Sequence, residues 1–228
     1  PPVAGMPEAT PENDLGMLDV VGDVAEPSQE EPGIVISGEQ SALNTQDPPE
    51  QLIAALRASG ELTLEAWLRP DNLTQSGPAR IVTLSRDTGA GRNFTLGQAG
   101  NRYAFRLRTA SEGADQGFVI TEVQTEPGSV PSEAHHVVVT YIACPHCGAC
   151  SLRIYINGEL KLQRQDITGD LNTWDPSFAL LLGNEATMDR QWHGALYLVA
   201  IYDRALAAGE IKTHFDMLRS AAETVPEP

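Results

Sequence analysis

The stretch His135 to Gln163, HHVVVTYIACPHCGACSLRIYINGELKLQ, constrains this chain more than any other. Its opening run, His136–Tyr141, is β-branched and aromatic throughout, which favours an extended strand. Cys144-Pro-His-Cys-Gly-Ala-Cys150 turns the chain back into a second strand, Leu152–Ile156. Asn157-Gly158 turns it again into Glu159–Gln163, so two successive hairpins make an antiparallel meander. A two-residue turn at Asn157-Gly158 would set Ile156 on the face of Glu159 and Ile154 on that of Lys161, mixing apolar and charged residues. A three-residue loop with Gly158 in the left-handed region pairs Tyr155 with Glu159 instead. Leu152, Ile154, Leu160 and Leu162 then share one face, and Arg153, Tyr155, Glu159 and Lys161 the other. A one-residue slip inverts the burial of a strand, so the bulged turn is expected.

The same period of two recurs along the chain. Leu62, Leu64, Ala66 and Leu68 alternate with Thr63, Glu65 and Trp67. Short strands are expected at Ile34–Ile36, Ile81–Ser85, Asn93–Leu96, Tyr103–Arg108, Phe118–Val123 and Phe178–Leu182, separated by Gly, Pro, Asn and Asp. Ala195–Tyr202 is apolar on both faces and should lie centrally in its sheet. Two helices are expected, near 48–58 and 205–220. For the first, Asp47 is the expected N-cap, with Glu50 three residues on and Gly60 as the stop. Many short strands at this spacing imply an all-β sandwich or barrel.

At 228 residues the chain is long enough for one large all-β domain. Residues 1–33 are rich in proline and acid, and read as an extended arm or linker ahead of a domain over 34–222, with a tail at 223–228. Within the arm, Leu15, Met17, Leu18, Val20 and Val21 could pack against a surface, and docking on the chain's own domain is the favoured state. The formal net charge is −16, from 31 acidic and 15 basic residues. That balance disfavours nucleic acid and anionic lipid, which need clustered Lys and Arg. No apolar run approaches the ~18 residues of a membrane span. No signal peptide is evident, and the opening Pro-Pro suggests a processed or trimmed start.

Five stretches taken in order, Leu62–Pro70, His135–Tyr141, Leu152–Gly158, Leu182–Asn184 and His193–Ile211, resemble the LamG-like jelly-roll domains of the concanavalin A-like superfamily. The resemblance spans roughly residues 34–218 and implies two curved antiparallel sheets stacked as a sandwich. It also implies an exported binding or adhesion module, since members hold calcium, glycans or other proteins. A non-catalytic module is expected. The Glu-x-Asp-x-x-Glu spacing of the superfamily's glycoside hydrolases is absent, and Glu61 and Glu65 have no third carboxylate to complete an acid/base pair.

The cysteine segment departs from the family, whose members usually carry a short polar turn there. Cys144, His146, Cys147 and Cys150 could ligate zinc or support an iron–sulfur cluster. Alternatively Cys144 and Cys150 close the loop as a disulfide, the first choice for an exported family, or the loop is simply reduced. Asp87, Asn184, Glu185 and Asp189 could supply oxygen ligands to Ca²⁺. Trp174, beside Asp175-Pro176, is the best candidate for an exposed sugar-stacking ring, whereas Trp67 and Trp192 read as packing. His135 and His136 read as structural histidines. The ending Val-Pro-Glu-Pro228 resembles the start of bacterial sorting signals, which points to a periplasmic or cell-surface protein and is compatible with a removed C-terminal anchor. The leading expectation is therefore a module that binds protein partners within a bacterial envelope assembly. The alternative is a Ca²⁺-dependent carbohydrate-binding module.

Overall fold

A computed structural model describes residues 18–25, 27–28, 33–87, 91–143 and 150–223. They form two seven-stranded antiparallel sheets and two helices. The first sheet runs in the order β1 (Leu18–Val21), β4 (Ala42–Thr45), β13 (Ala179–Leu182), β6 (Ala79–Ser85), β7 (Arg92–Ala99), β8 (Arg102–Ala110), β9 (Phe118–Gln124). The second runs β12 (Glu159–Arg164), β11 (Ser151–Ile156), β10 (His135–Ile142), β5 (Glu61–Pro70), β14 (Gly194–Tyr202), β3 (Ile34–Ile36), β2 (Val24–Ala25). Sequence-distant strands such as β4, β13 and β6 lie side by side, as in a jelly-roll sandwich.

The core lies between the sheets. Leu62, Leu64, Ala66 and Leu68 of β5 are fully buried and sit opposite Tyr141, Val139, Val137 and His135 of β10. From the first sheet, Leu84, Phe94, Leu96, Phe105 and Leu107 face them in one continuous cluster. The apolar set of each alternating strand removes enough area from water, about 1.5–3 kcal/mol per large side chain, to offset the ordering of the chain. β14 is interior to its sheet beside β5, as its apolar sequence implies.

The meander is present, but the turn inside it differs from expectation. Asn157 and Gly158 both adopt positive φ, 52° and 76°, and form a two-residue turn that pairs Ile156 with Glu159. The irregularity sits one step earlier, between Ile154 and Tyr155, and brings Ile154 opposite Leu162. Asn-Gly tolerates two left-handed residues in succession, so the register correction moves into the strand. Leu160 is consequently exposed rather than core-facing.

Helix α1 (Glu50–Ser59) buries Leu52, Ile53 and Leu56. Pro49 rather than Asp47 occupies its N-cap, with no side-chain capping bond, and Gly60 ends it in the left-handed conformation. Helix α2 (Ala208–Glu223) covers the outer face of β5, β10 and β14. Part of the expected arm docks on the domain, since β1 and β2 pair as edge strands with β4 and β3. Val20 and Val21 are exposed there, so pairing of backbone rather than burial of side chains ties this segment down. Leu15 and Met17 lie outside the described residues.

Candidate ligand-binding cleft

Alternation on β6, β7 and β8 sends one set of side chains into the core and the other onto the outer face of the first sheet. Thr83, Thr95, Arg106 and Glu122 form one row across that face. Arg80, Arg86, Arg92, Arg106 and Arg108 gather in and beside these strands, a third of the 15 basic residues in an acidic chain.

The middle of the face is closed by the loop after β13. Glu185 is buried there and accepts a hydrogen bond from Arg80 Nε at 2.9 Å and another from the Ser85 hydroxyl. Arg92 Nη1 lies 3.9 Å from the same carboxylate. Burial pulls both guanidinium groups below their ordinary range, Arg92 down to about 10, while Glu185 opposes the shift. Arg106 pairs with Glu122 on the neighbouring strand. Arg80 and Ser85 fasten the loop to the sheet, while the Arg106 pair links two strands within it.

At the end of the face near the β6–β7 turn, a cleft of about 360 Å³ opens between Arg86, Asp87, Arg108, Phe118, Asp175 and Phe178. The Arg108 guanidinium lies over the Phe118 ring at 3.6 Å, and that of Arg86 over Phe178 at 5.6 Å. Asp175 Oδ1 accepts from the Ser177 N–H at 2.9 Å and its hydroxyl at 2.6 Å. Burial pushes this carboxyl up, but the Ser177 bonds and the nearby Arg108 and Arg86 charges prevail and hold it below its usual value. Asp87 Oδ1 accepts from the Gly91 N–H at 3.0 Å. The wall is braced from behind. Asn93 and Asp175 exchange hydrogen bonds at 2.9 Å through side chain and backbone, and Trp174 Nε1 donates to the Arg108 carbonyl at 2.8 Å.

Trp174 is thus not an exposed stacking ring. It is 2% exposed and packs against Phe94, because its N–H finds a buried carbonyl and its ring completes the core. Trp192 is buried too, its Nε1 donating to Gln98. The four expected Ca²⁺ ligands are not brought together as a set. Asp87 lines the cleft, and Arg92 lies between it and Glu185. Asn184 Oδ1 is occupied by the Glu185 and Arg190 N–H groups, and Asp189 is exposed, bonded to Thr187 and Arg190. No group of three His, Cys, Asp or Glu among the described residues converges on a metal position. Cys144, His146 and Cys147 lie outside the described residues, and Cys150 is buried with its thiol beside the Tyr141 hydroxyl.

The outer face of the second sheet carries a separate polar cluster under α2. Glu65 Oε1 accepts from His136 Nε2 at 2.8 Å and lies 3.1 Å from His214 Nδ1, while Oε2 accepts from the Tyr202 hydroxyl at 2.9 Å. Burial alone would raise the Glu65 pKa, but His136, His214 and Tyr202 bring it below its ordinary value. His136, Trp67 and Phe215 pack as a three-ring cluster, their centroids 5.7 to 6.3 Å apart. Glu61 instead accepts the Ala205 N–H at 2.8 Å, so the two glutamates form no acid/base pair.

Arg86, Arg108, Phe118, Asp175 and Phe178 were not singled out by sequence reasoning. The available signal was Arg106-Leu-Arg108, which alternates with core residues and so must direct two cations to one face.

Solved structures share this architecture at low identity, which establishes the fold alone. The Ruminococcus gnavus IT-sialidase CBM40, solved with α2,3-sialyllactose, aligns with a TM-score of 0.60 and 15% identity over 80% of this chain and 96% of that one. The receptor binding domain of botulinum neurotoxin type G aligns with a TM-score of 0.60 and 14% identity over 88% of this chain. The binding domain of botulinum neurotoxin DC, in complex with rat synaptotagmin II, gives 0.58 and 14% over the same share. This chain covers 46% of each toxin domain. No curated sequence matches it. The family model described as the concanavalin A-like lectin/glucanases superfamily matches residues 38–212, well over half of the chain, and the protein therefore belongs to that superfamily.

Proposed function

We propose that this chain is a non-catalytic binding module that holds an oligosaccharide in the cleft between Arg86, Arg108, Phe118, Asp175 and Phe178. The observation that carries the reading is the cleft, open and braced, with aromatic, guanidinium and carboxylate groups converging on a space suited to a few sugar rings. A pre-formed wall lowers the ordering cost of binding. Structural neighbours that bind sialyllactose or gangliosides support it. Both cleft carboxylates are tied to N–H groups of their own turns, which suits binding better than proton transfer. Screening the purified chain against an oligosaccharide panel tests the reading. Binding that Phe118→Ala and Arg108→Ala abolish supports it, and a panel with no ligand at millimolar concentration sinks it.

A protein partner is a second reading, favoured by the edge strand β9, where Val119 is 40% exposed. Copurification of a neighbour that substitutions at Val119 release would move the assignment there. We also place the module outside the cytoplasm, with Cys144 and Cys150 bridged. Intact mass after alkylation without reductant should show one protected pair. Three alkylated thiols with stoichiometric zinc or iron would shift attention to that loop.

A further inference from the structure

We propose that the cleft selects an acidic oligosaccharide, with the Arg86 and Arg108 guanidinium groups receiving its carboxylate or sulfate; this rests on the glycan-binding reading above. The argument turns on which polar groups in the cleft already have partners. Asp175 accepts two hydrogen bonds from Ser177. Asp87 accepts the Gly91 N–H. Neither aspartate needs a ligand cation to satisfy it. The arginines stand differently. The Arg108 guanidinium donates no hydrogen bond among the described residues, and its Nε is buried without an acceptor. Arg86 is largely exposed, and its nearest anion is Asp87 at 3.6 Å, beyond good hydrogen-bond distance. Each guanidinium carries five N–H donors and no acceptor, so these two side chains bring open donors on fixed positive charge to the cleft.

The aromatic rings add orientation. Phe118 backs the flat face of Arg108, and Phe178 lies under Arg86, leaving the terminal Nη groups of Arg108 and the fork of Arg86 for a ligand. A guanidinium edge matches the spacing of two carboxylate or sulfate oxygens, and charge-assisted bonds of this kind are roughly twice as strong as those to a neutral hydroxyl. Arg80, Arg92 and Arg106 cannot serve the same role, since Glu185 and Glu122 already occupy Arg80 and Arg106, and Arg92 is buried away from the cleft. The protein as a whole is strongly acidic, so its overall charge does not draw anions in; the selectivity is local to these two side chains.

The test is calorimetric titration of the whole chain with matched neutral, carboxylated and sulfated forms of the same oligosaccharides. Acidic forms should bind at least about tenfold more tightly than their neutral parents, the difference expected when charge-assisted bonds replace neutral ones. Arg108→Gln should remove that margin, weakening the acidic forms about tenfold more than their neutral parents. Arg86→Gln, at an exposed side chain the fold does not need, should reduce it by roughly threefold. The carboxylated and sulfated arms identify the anion. Equal affinity for neutral and acidic forms, or an acid preference that survives both substitutions, overturns the proposal while leaving the glycan reading standing. Silence across the entire panel overturns both.

Discussion

The outer faces of the two sheets carry similar chemistry and have opposite fates. On the second sheet, Glu65 gathers His136, His214 and Tyr202 and is then covered by α2, so its oxygens are used internally. On the first, Arg86 and Arg108 are held in position by phenylalanine rings and left open to the cleft. Polar residues on a sheet face are therefore no guide to function by themselves. What separates structure from site is whether donors and acceptors balance within the chain.

The most damaging change should be Glu65→Ala. It leaves His136 buried with neither ring nitrogen bonded to protein, since Nδ1 already lacks a partner, and we expect a loss of about 3–5 kcal/mol in denaturant unfolding. Cleft binding should be unchanged at temperatures where the variant remains folded. An equal loss of ligand affinity would dissolve the contrast between the two faces.

Acid should reach the core next. His135 is buried against Tyr103, and burial takes its pKa from 6.5 down to about 4. Below 6.5 the unfolded chain binds a proton that the folded chain resists, so stability is complete above 6.5 and is lost as the pH falls towards 4. The loss attributable to this residue is on the order of 3 kcal/mol. Glu65, with its lowered pKa, adds a loss of the same sign at lower pH, as the pH drops from the ordinary 4.5 through the folded value. Urea midpoints measured against pH should fall through this window, and His135→Gln should flatten the upper part of the descent.

Trp174→Phe keeps the ring and removes one donor, leaving the Arg108 carbonyl without it. A stability loss of about 1–3 kcal/mol is expected, with weaker cleft binding as the wall relaxes. Unchanged affinity would show that the brace does not matter. The smallest effect should come from Lys161→Ala. This removes an exposed pair with Glu159, worth at most about 0.5 kcal/mol and near the limit of detection by thermal unfolding.

The sandwich was readable because burial enforces a period of two over whole strands, as in Leu62 to Leu68. β4 escaped notice because it is four residues long, Ala-Leu-Asn-Thr, and shows no sustained alternation. At Asn157-Gly158 the burial pattern called for a one-residue shift and put it in the turn, but the bulge in the strand brings only Leu162 to the core face and leaves Leu160 opposite Tyr155. The cleft was less legible. Its walls come from the β6–β7 turn, β8, β9 and the segment before β13, which only the strand order brings together. Trp174 misled because loop composition suggests exposure, whereas its indole N–H is matched to a carbonyl 66 residues away in sequence.

The two N-terminal strands have a practical consequence. β1 and β2 come from a single run of eight residues and hem one flank of the sandwich, four residues on one sheet and two on the other. Short rims offer little purchase to a neighbouring molecule. A version trimmed at residue 34, where composition alone would invite the cut, would strip both rims together and bare the backbone edges of β4 and β3. Such a protein should keep its cleft yet clump on storage.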